Sequence, residues 1–388
     1  MNKTSIEWCD YTVNPIRPEI VATGKRKGWF CTKVSSGCAN CYAERMNKRC
    51  DAQGNGIGNG LAFTRENESK VRFVLDEKAL RGILKSRAPA GSRVFVGDMT
   101  DLFHHLIPFD LIDQVFAAMA LRPDLIFMLL TKRPERMLEY CSGETLSDRI
   151  KRIADCEHGK CWLGDKGRTV GPRLPLPNVQ LSVSIEDQAT ADERIPLLLQ
   201  TPAAVRFVSY EPASGPVDIG PYLGEVQQCP HCGRWEESNN WDVGGAEDCQ
   251  VFCNHCNTPS DINWIDGLDG VIAGGESGPN ARPAHPDWFR QVRNDCDRAG
   301  VPFFFKQWGE WREQTSDKWV KYKASPSELA SIGFLEPSGR FTMAHDLPVH
   351  PQEVHCTEVD CWMQRVGKKA AGRKLDGRTH DDLPKETL

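Results

Sequence analysis

Cys31, Cys38 and Cys41 lie in the run Cys31-Thr-Lys-Val-Ser-Ser-Gly-Cys38-Ala-Asn-Cys41, and their number is what points to chemistry. A structural zinc or a passive electron-transfer cluster normally takes four protein ligands, so three thiolates leave a coordination position for a substrate or cofactor. An iron–sulfur cubane held in this way keeps one iron open. The plainer alternatives are half of a zinc site completed by a distant ligand, or ordinary core cysteines. A second set is closed: Cys229-Pro-His-Cys232 and Cys253-Asn-His-Cys256 make a C-x2-C-x20-C-x2-C pattern, the spacing at which two knuckles of a zinc ribbon surround one tetrahedral ion. Four thiolates there imply a structural zinc, which supplies folding energy to a segment too short and polar to build its own core. His231, His255 and Cys249 are less regular competitors for that ion.

Positioning the three-cysteine loop falls to a chain in which short β-branched segments alternate with helical ones. Strands are expected over Ser5 to Val13, Lys70 to Val74, Arg93 to Val96, Leu125 to Leu130, Val179 to Val183, Val205 to Val208, Gly270 to Ala273 and Pro302 to Phe305. Helices are expected over Tyr42 to Arg49, Glu77 to Ser86, Pro108 to Leu121, Pro134 to Tyr140, Gln188 to Gln200 and Pro286 to Ala299. Such alternation predicts an α/β fold with parallel strands, as a complete or partial (β/α) TIM-like barrel carrying an inserted zinc ribbon; an open doubly wound sheet is the runner-up. Polar residues follow the apolar runs: Asp98 and Asp101, Thr131 and Lys132, Ser184 and Glu186, Ser209 and Glu211, Glu276 and Ser277, Lys306 and Gln307. In a barrel these strand ends open onto one face, so the groups are expected to converge with the cysteine loop, which the first strand leads into.

This reading divides the chain into a first barrel part over 1–222 with an insertion at 141–176, a zinc ribbon over 223–262, a last barrel part over 263–312, and an irregular extension over 313–388. The insertion holds Cys156, His158 and Cys161, and the extension holds His345, His350, His355, Cys356 and Cys361 without a ligand spacing. Of 388 residues, 16 are cysteine, and Met1 to Val13 is polar where a secretory segment would be apolar. A reducing cytoplasm is therefore expected, with thiols as metal ligands or reduced core residues rather than disulfides. Runs such as Val115 to Leu121 and Leu125 to Leu130 are far short of the roughly 18 residues that span a bilayer, so no membrane partner is expected. Net charge is −5, yet Arg365, Lys368, Lys369, Arg373, Lys374 and Arg378 face one acid, Asp376, within one short run, and Lys25, Arg26, Lys27 and Lys33 flank the cysteine loop. Clusters of this kind neutralise phosphates or simply make a solvated face.

Further signposts are Ile6-Glu7-Trp8, Asn14-Pro15, Tyr42-Ala43-Glu44-Arg45-Met46, Val94-Phe95-Val96-Gly97-Asp98-Met99-Thr100-Asp101-Leu102-Phe103-His104, Leu129-Leu130-Thr131-Lys132-Arg133-Pro134, Ser209-Tyr210-Glu211-Pro212, Gly274-Gly275-Glu276-Ser277-Gly278, Phe305-Lys306-Gln307-Trp308-Gly309 and Gly367-Lys368-Lys369-Ala370-Ala371-Gly372. With the three cysteines, these resemble a phage and prophage three-cysteine-motif family of formerly unknown function, itself similar to divergent radical S-adenosyl-L-methionine (SAM) enzymes. The usual spacing in radical SAM enzymes is C-x3-C-x2-C; here it is C-x6-C-x2-C, with Asn40 where an aromatic is usual.

The resemblance implies that Cys31, Cys38 and Cys41 ligate a 4Fe-4S cluster whose open iron chelates SAM. An electron donor would reduce that cluster, and SAM cleavage would yield a 5′-deoxyadenosyl radical. Asp98 or Glu276, beside glycines, is then placed at the SAM amino group, Ser184 at the ribose or carboxylate, and Lys132 and Glu211 in catalytic or anion-binding roles. The plain alternative for Asp98, Lys132 and Glu211 is salt bridging. The substrate class implied is DNA or a modified nucleotide, with hypermodification of phage thymidine in the cytoplasm of the bacterial host by an isomerase or lyase. A photoproduct-type repair lyase and a non-catalytic, metal-stabilised nucleic-acid-binding or assembly protein are the alternatives.

Overall fold

A computed structural model of the chain describes residues 1–52, 57–155, 174–237, 241–243, 251–260, 264–314, 331–346 and 361–384. Arg93–Val96, Ile126–Thr131, Val179–Ile185 and Gly270–Gly274 are buried at nearly every position, the pattern of parallel strands covered on both faces. They belong to one eight-stranded sheet whose order follows the chain: β1 (Asn2–Lys3), β2 (Tyr11–Val13), β3 (Arg93–Val96), β4 (Ile126–Thr131), β5 (Val179–Ile185), β6 (Val205–Tyr210), β7 (Gly270–Gly274) and β8 (Phe303–Gln307). β2 to β5 pair in parallel, as do β7 and β8, whereas β1 is antiparallel to β2. The helices are α1 (Tyr42–Ala52), α2 (Glu77–Leu84), α3 (Phe109–Ala120), α4 (Pro134–Cys141), α5 (Leu146–Asp155), α6 (Gln188–Gln200) and α7 (Pro286–Ala299).

The fold is thus mixed α/β with a parallel-rich sheet. A closed barrel is not found among the described residues, because the sheet is a row with β1 and β8 at its ends. One expected barrel strand goes elsewhere. Val71–Leu75 pairs antiparallel with Ile16–Ile20, which also pairs with Lys25–Arg26, in a separate three-stranded sheet. Its alternation decides this: Val71 and Phe73 are buried while Arg72 is exposed, so it has one apolar face and suits an antiparallel sheet rather than a doubly covered parallel one. Two of its strands, Ile16–Ile20 and Lys25–Arg26, lie between β2 and Cys31, so the first strand does not run straight into the cysteine loop.

Two compact units make up the chain: Met1–Ser184 with Leu197–Phe207, and Ile185–Pro196 with Val208–Pro384. In the first unit Trp8, 3% exposed, packs on Phe95 with ring centroids 4.8 Å apart, and buried Asn178 ties the carbonyls of Met119, Arg122 and Leu125 together at 3.0–3.1 Å. Pro134 at the first turn of α4 presets its backbone for the helix and brings the preceding Lys132 and Arg133 out at the end of β4.

In the second unit the extension is more regular than expected. Trp311–Gln314, Cys361–Arg365, Ile332–Leu335 and Phe341–Met343 form a four-stranded antiparallel sheet. Ala281, Trp311, Leu335, Cys361 and Met363 make its core on one side, and Ile332, Ala344 and Trp362 cluster separately. Its strands are only 3–5 residues long, which hides them in a sequence scan. Cys156, His158, Cys161, Cys249, His350, His355 and Cys356 lie outside the described residues.

Candidate functional site

The cysteine loop is held from both sides by its own sequence. Fully buried Asn47 on α1 accepts the Trp29 and Asn59 amides at 3.1 Å and donates to Asn59 Oδ1 at 2.7 Å, and Asn59 in turn donates to the carbonyls of Lys27 and Trp29. Gly28 is required at this clamp: its φ is +70°, and a Cβ there would meet Asn47 Oδ1 at 2.4 Å. Cys38 closes the turn Ser36–Cys38, and Cys41 stands immediately before α1. Burial pushes the Cys41 thiol up, while the Glu44 and Ala43 amides at the start of α1 work to lower it, as a helix N-terminus favours a thiolate.

Cys31 has a cation beside it. Arg133 Nη1 donates to Cys31 Sγ at 3.7 Å and to Asp101 Oδ2 at 2.8 Å, and Nη2 donates to the Thr32 carbonyl at 2.8 Å. Burial pushes the Cys31 thiol up to about 11, and Arg133 is the main opposing influence. Asp101 also accepts from the Thr131 hydroxyl at 2.8 Å and the Lys132 amide at 3.1 Å. Burial works to raise its carboxyl, but Arg133 and these donors hold it below the ordinary range.

Behind Thr32, the Leu106 amide donates to His104 Nδ1 at 3.2 Å, which leaves Nε2 as the protonated nitrogen facing the Thr32 hydroxyl at 2.9 Å; that hydroxyl donates to Glu68 at 2.7 Å. Donor atoms of Glu68, His104 and His105 all lie within 4.8 Å. The relay satisfies them internally, so we read the set as a brace for the loop rather than an ion site. Burial, followed by Arg133 and His105, pushes His104 down to about 3, so it stays neutral.

Of the residues singled out from sequence, the first unit brings several to the ends of β3, β4 and β5. Asp98 accepts from Asn14 at 2.7 Å and from the Tyr42 hydroxyl at 3.5 Å, and Tyr42 also donates to its carbonyl. Burial raises the Asp98 carboxyl against these donors. Lys132 Nζ donates to Ser184 Oγ at 2.7 Å. Arg133 and the Asn47–Asn59 clamp escaped the sequence reading, although Arg133 sits inside the Thr131-Lys132-Arg133-Pro134 signpost.

In the second unit Glu211 is gripped by Lys306 at 2.8 and 2.9 Å and by Gln307 at 3.3 Å. Glu276 is buried and accepts from Arg282 Nε, Nη2 and backbone N–H at 2.8–3.0 Å. The glycines beside it serve chain packing: a Cβ on Gly275 would fall 2.0 Å from the Trp308 carbonyl, and one on Gly309 2.0 Å from that of Glu276. Part of the basic run is also used internally. Arg365 donates to the carbonyls of Gly278 and Pro279, and Arg373 pairs with Asp381 and lies 5.0 Å from the Phe304 ring.

The ribbon cysteines gather as their spacing predicts. The Sγ atoms of Cys229, Cys232, Cys253 and Cys256 all lie within 4.8 Å of one another, with Cys229 to Cys256 at 3.6 Å and Cys232 to Cys253 at 3.8 Å. A tetrahedral zinc with ~2.3 Å bonds sets an edge of ~3.8 Å, so these residues could hold a metal ion such as zinc. Each knuckle repeats one turn: Gly233 N–H bonds to the Cys229 carbonyl and Asn257 N–H to the Cys253 carbonyl, with φ of +73° and +52° at the two turn residues. The Thr258 hydroxyl holds the Cys256 thiol down at about 6, while burial pushes that of Cys253 up to about 12. His231 and His255 are exposed and outside the cluster.

Residues 3–384 match the model of a family described as a protein of unknown function (DUF5131). No curated protein and no solved structure matches the chain.

Proposed function

We propose that this chain, which belongs to the DUF5131 family of proteins of unknown function, is a radical SAM enzyme whose 4Fe-4S cluster sits on Cys31, Cys38 and Cys41. The observation that carries this is the contrast between its two thiol sets. The ribbon sulfurs crowd within 4.8 Å, but the loop cysteines do not form such a group among the described residues. A cubane, whose irons take alternate corners and each carry one thiolate, holds its thiolates farther apart than a single tetrahedral ion does. Arg133 beside Cys31 and the α1 amides at Cys41 fit the same group, since each favours a thiolate. When bound, the cluster and SAM would supply one-electron cleavage and a 5′-deoxyadenosyl radical.

The residues around the loop then have plain tasks. Asp98, fixed by Asn14 and Tyr42, accepts hydrogen bonds from the SAM amino group, and Lys132 with Ser184 offers a cation and a hydroxyl to an anionic group. Glu211 and Glu276 hold Lys306 and Arg282 in place in their own unit. The parallel row β2 to β5 is the partial barrel of this reading. The ribbon zinc is structural. The proposed substrate is a nucleotide base in DNA or a derivative of one, with phosphates drawn to the basic run Arg365 to Arg378, of which Lys368, Lys369 and Lys374 are the lysines.

Anaerobic reconstitution with iron and sulfide, followed by metal analysis and electron paramagnetic resonance of the reduced protein, tests the cluster. Changing Cys31, Cys38 and Cys41 together to alanine should abolish the iron signal and leave the ribbon zinc. A wild-type chain that takes up zinc alone overturns the assignment. Incubating the reduced, SAM-loaded protein with duplex DNA, modified phage DNA or free nucleotides, with nucleoside mass analysis, tests the substrate. 5′-Deoxyadenosine formed only in the presence of a peptide or a non-nucleotide metabolite would move the substrate class and leave the cluster standing.

A further inference from the structure

We propose that Arg133 is a positioning residue that anchors Cys31 and raises the reduction potential of the cluster held by Cys31, Cys38 and Cys41; this rests on the cluster reading above. Arg133 is 9% exposed. Its terminal nitrogens reach the Cys31 sulfur, the Asp101 carboxylate and the carbonyl of Thr32, the residue after Cys31, at 3.7, 2.8 and 2.8 Å. A planar fork can span three acceptors in this way, whereas a lysine ammonium is a single point charge on a flexible stem.

Asp101 orients the fork and is itself fixed by Thr131 and the Lys132 amide at 2.8 and 3.1 Å. Thr32 is fixed from its other side by His104 at 2.9 Å and Glu68 at 2.7 Å. The guanidinium therefore cannot drift without breaking a braced network. Adding an electron to a thiolate-bound cluster increases negative charge on its sulfurs, and a buried cation donating to one of them stabilises that reduced form. Low local dielectric keeps the effect from being screened.

The test compares reconstituted wild-type chain with Arg133→Gln, Arg133→Lys and Asp101→Asn, each checked for iron, sulfide and native circular dichroism. Potentials are read by a mediated redox titration followed by electron paramagnetic resonance. Arg133→Gln should move the midpoint to a more negative value, Arg133→Lys should fall between it and wild type, and Asp101→Asn, which removes an anion but keeps the guanidinium, should move it the other way. If Arg133→Gln misfolds, the Lys and Asn variants still give opposite shifts. Unchanged potentials in variants that carry a full cluster overturn this inference and leave the cluster reading intact. No cluster on the wild-type chain removes both.

Discussion

Single side chains here do their work by meeting charge with charge in places water does not reach. Glu186 and Arg194 are 0% and 2% exposed and pair at 3.2 Å, so removing one partner strands the other as a buried charge. Arg194→Met is therefore expected to lower unfolding stability by about 3–5 kcal/mol, read as a shift in the urea midpoint. Adding Glu186→Leu should recover most of that loss, because the desolvated carboxylate is gone as well. No recovery in the double variant would mean that Arg194 acts through packing of its stem instead.

At the level of elements, the ribbon is the part whose folding is expected to depend on a bound metal ion as well as on apolar burial. Among its described residues one buried cluster is Cys229 and Cys253, with Cys232 and the following Trp264 packed against them, and Leu223, Val226 and Trp235 are the other buried apolar side chains, a small core that a metal ion would supplement. Zinc removal by a chelator should open this segment to a protease while the eight-stranded sheet keeps its circular dichroism signal. Replacing Cys232 with serine should do the same without a chelator. Cleavage elsewhere in the chain at equal rate would show that the ribbon is not a separate folding element. Six of the helices were readable from sequence almost to their ends: α6 and α7 run over Gln188–Gln200 and Pro286–Ala299, where apolar spacing, a leading proline and Gly300 in the left-handed conformation after α7 mark the limits, whereas α5 (Leu146–Asp155) lies in the segment 141–176 read as an insertion. Strands were less so, because Val71–Leu75 has the residues of a strand whichever sheet it joins.

Across the whole molecule, acid should destabilise the chain through the brace behind the cysteine loop. His104 is held neutral down to about 3 by burial, Arg133 and His105, while in an unfolded chain a histidine takes its proton near ~6.5. Its contribution is fully present above pH ~6.5 and is lost as pH falls, by about 1.4 kcal/mol per unit. Asp101, with its carboxyl held below the ordinary range, adds loss in the same direction at lower pH. The urea midpoint of wild type should drop between pH 7.5 and pH 5, and His104→Gln should flatten that drop. Equal slopes would show that His104 is protonated in the folded chain.

The sequence alone determined which four ribbon thiols could hold a metal ion and where most helices lie. Ligand spacing within a knuckle and apolar period within a helix are local properties, and the four ribbon thiols meet as their spacing requires. The glutamates at strand ends show what was not local: Glu211 is gripped by Lys306, 95 residues away in the chain, and the glycines beside Glu276 pack against Trp308 and Gly309. Only the tertiary structure decided that Val71–Leu75 leaves the parallel sheet and that an arginine 102 residues from Cys31 stands at its sulfur. A strand's partner and a buried charge's counter-ion are chosen by which surfaces exclude water together, and that choice is made between segments far apart in sequence.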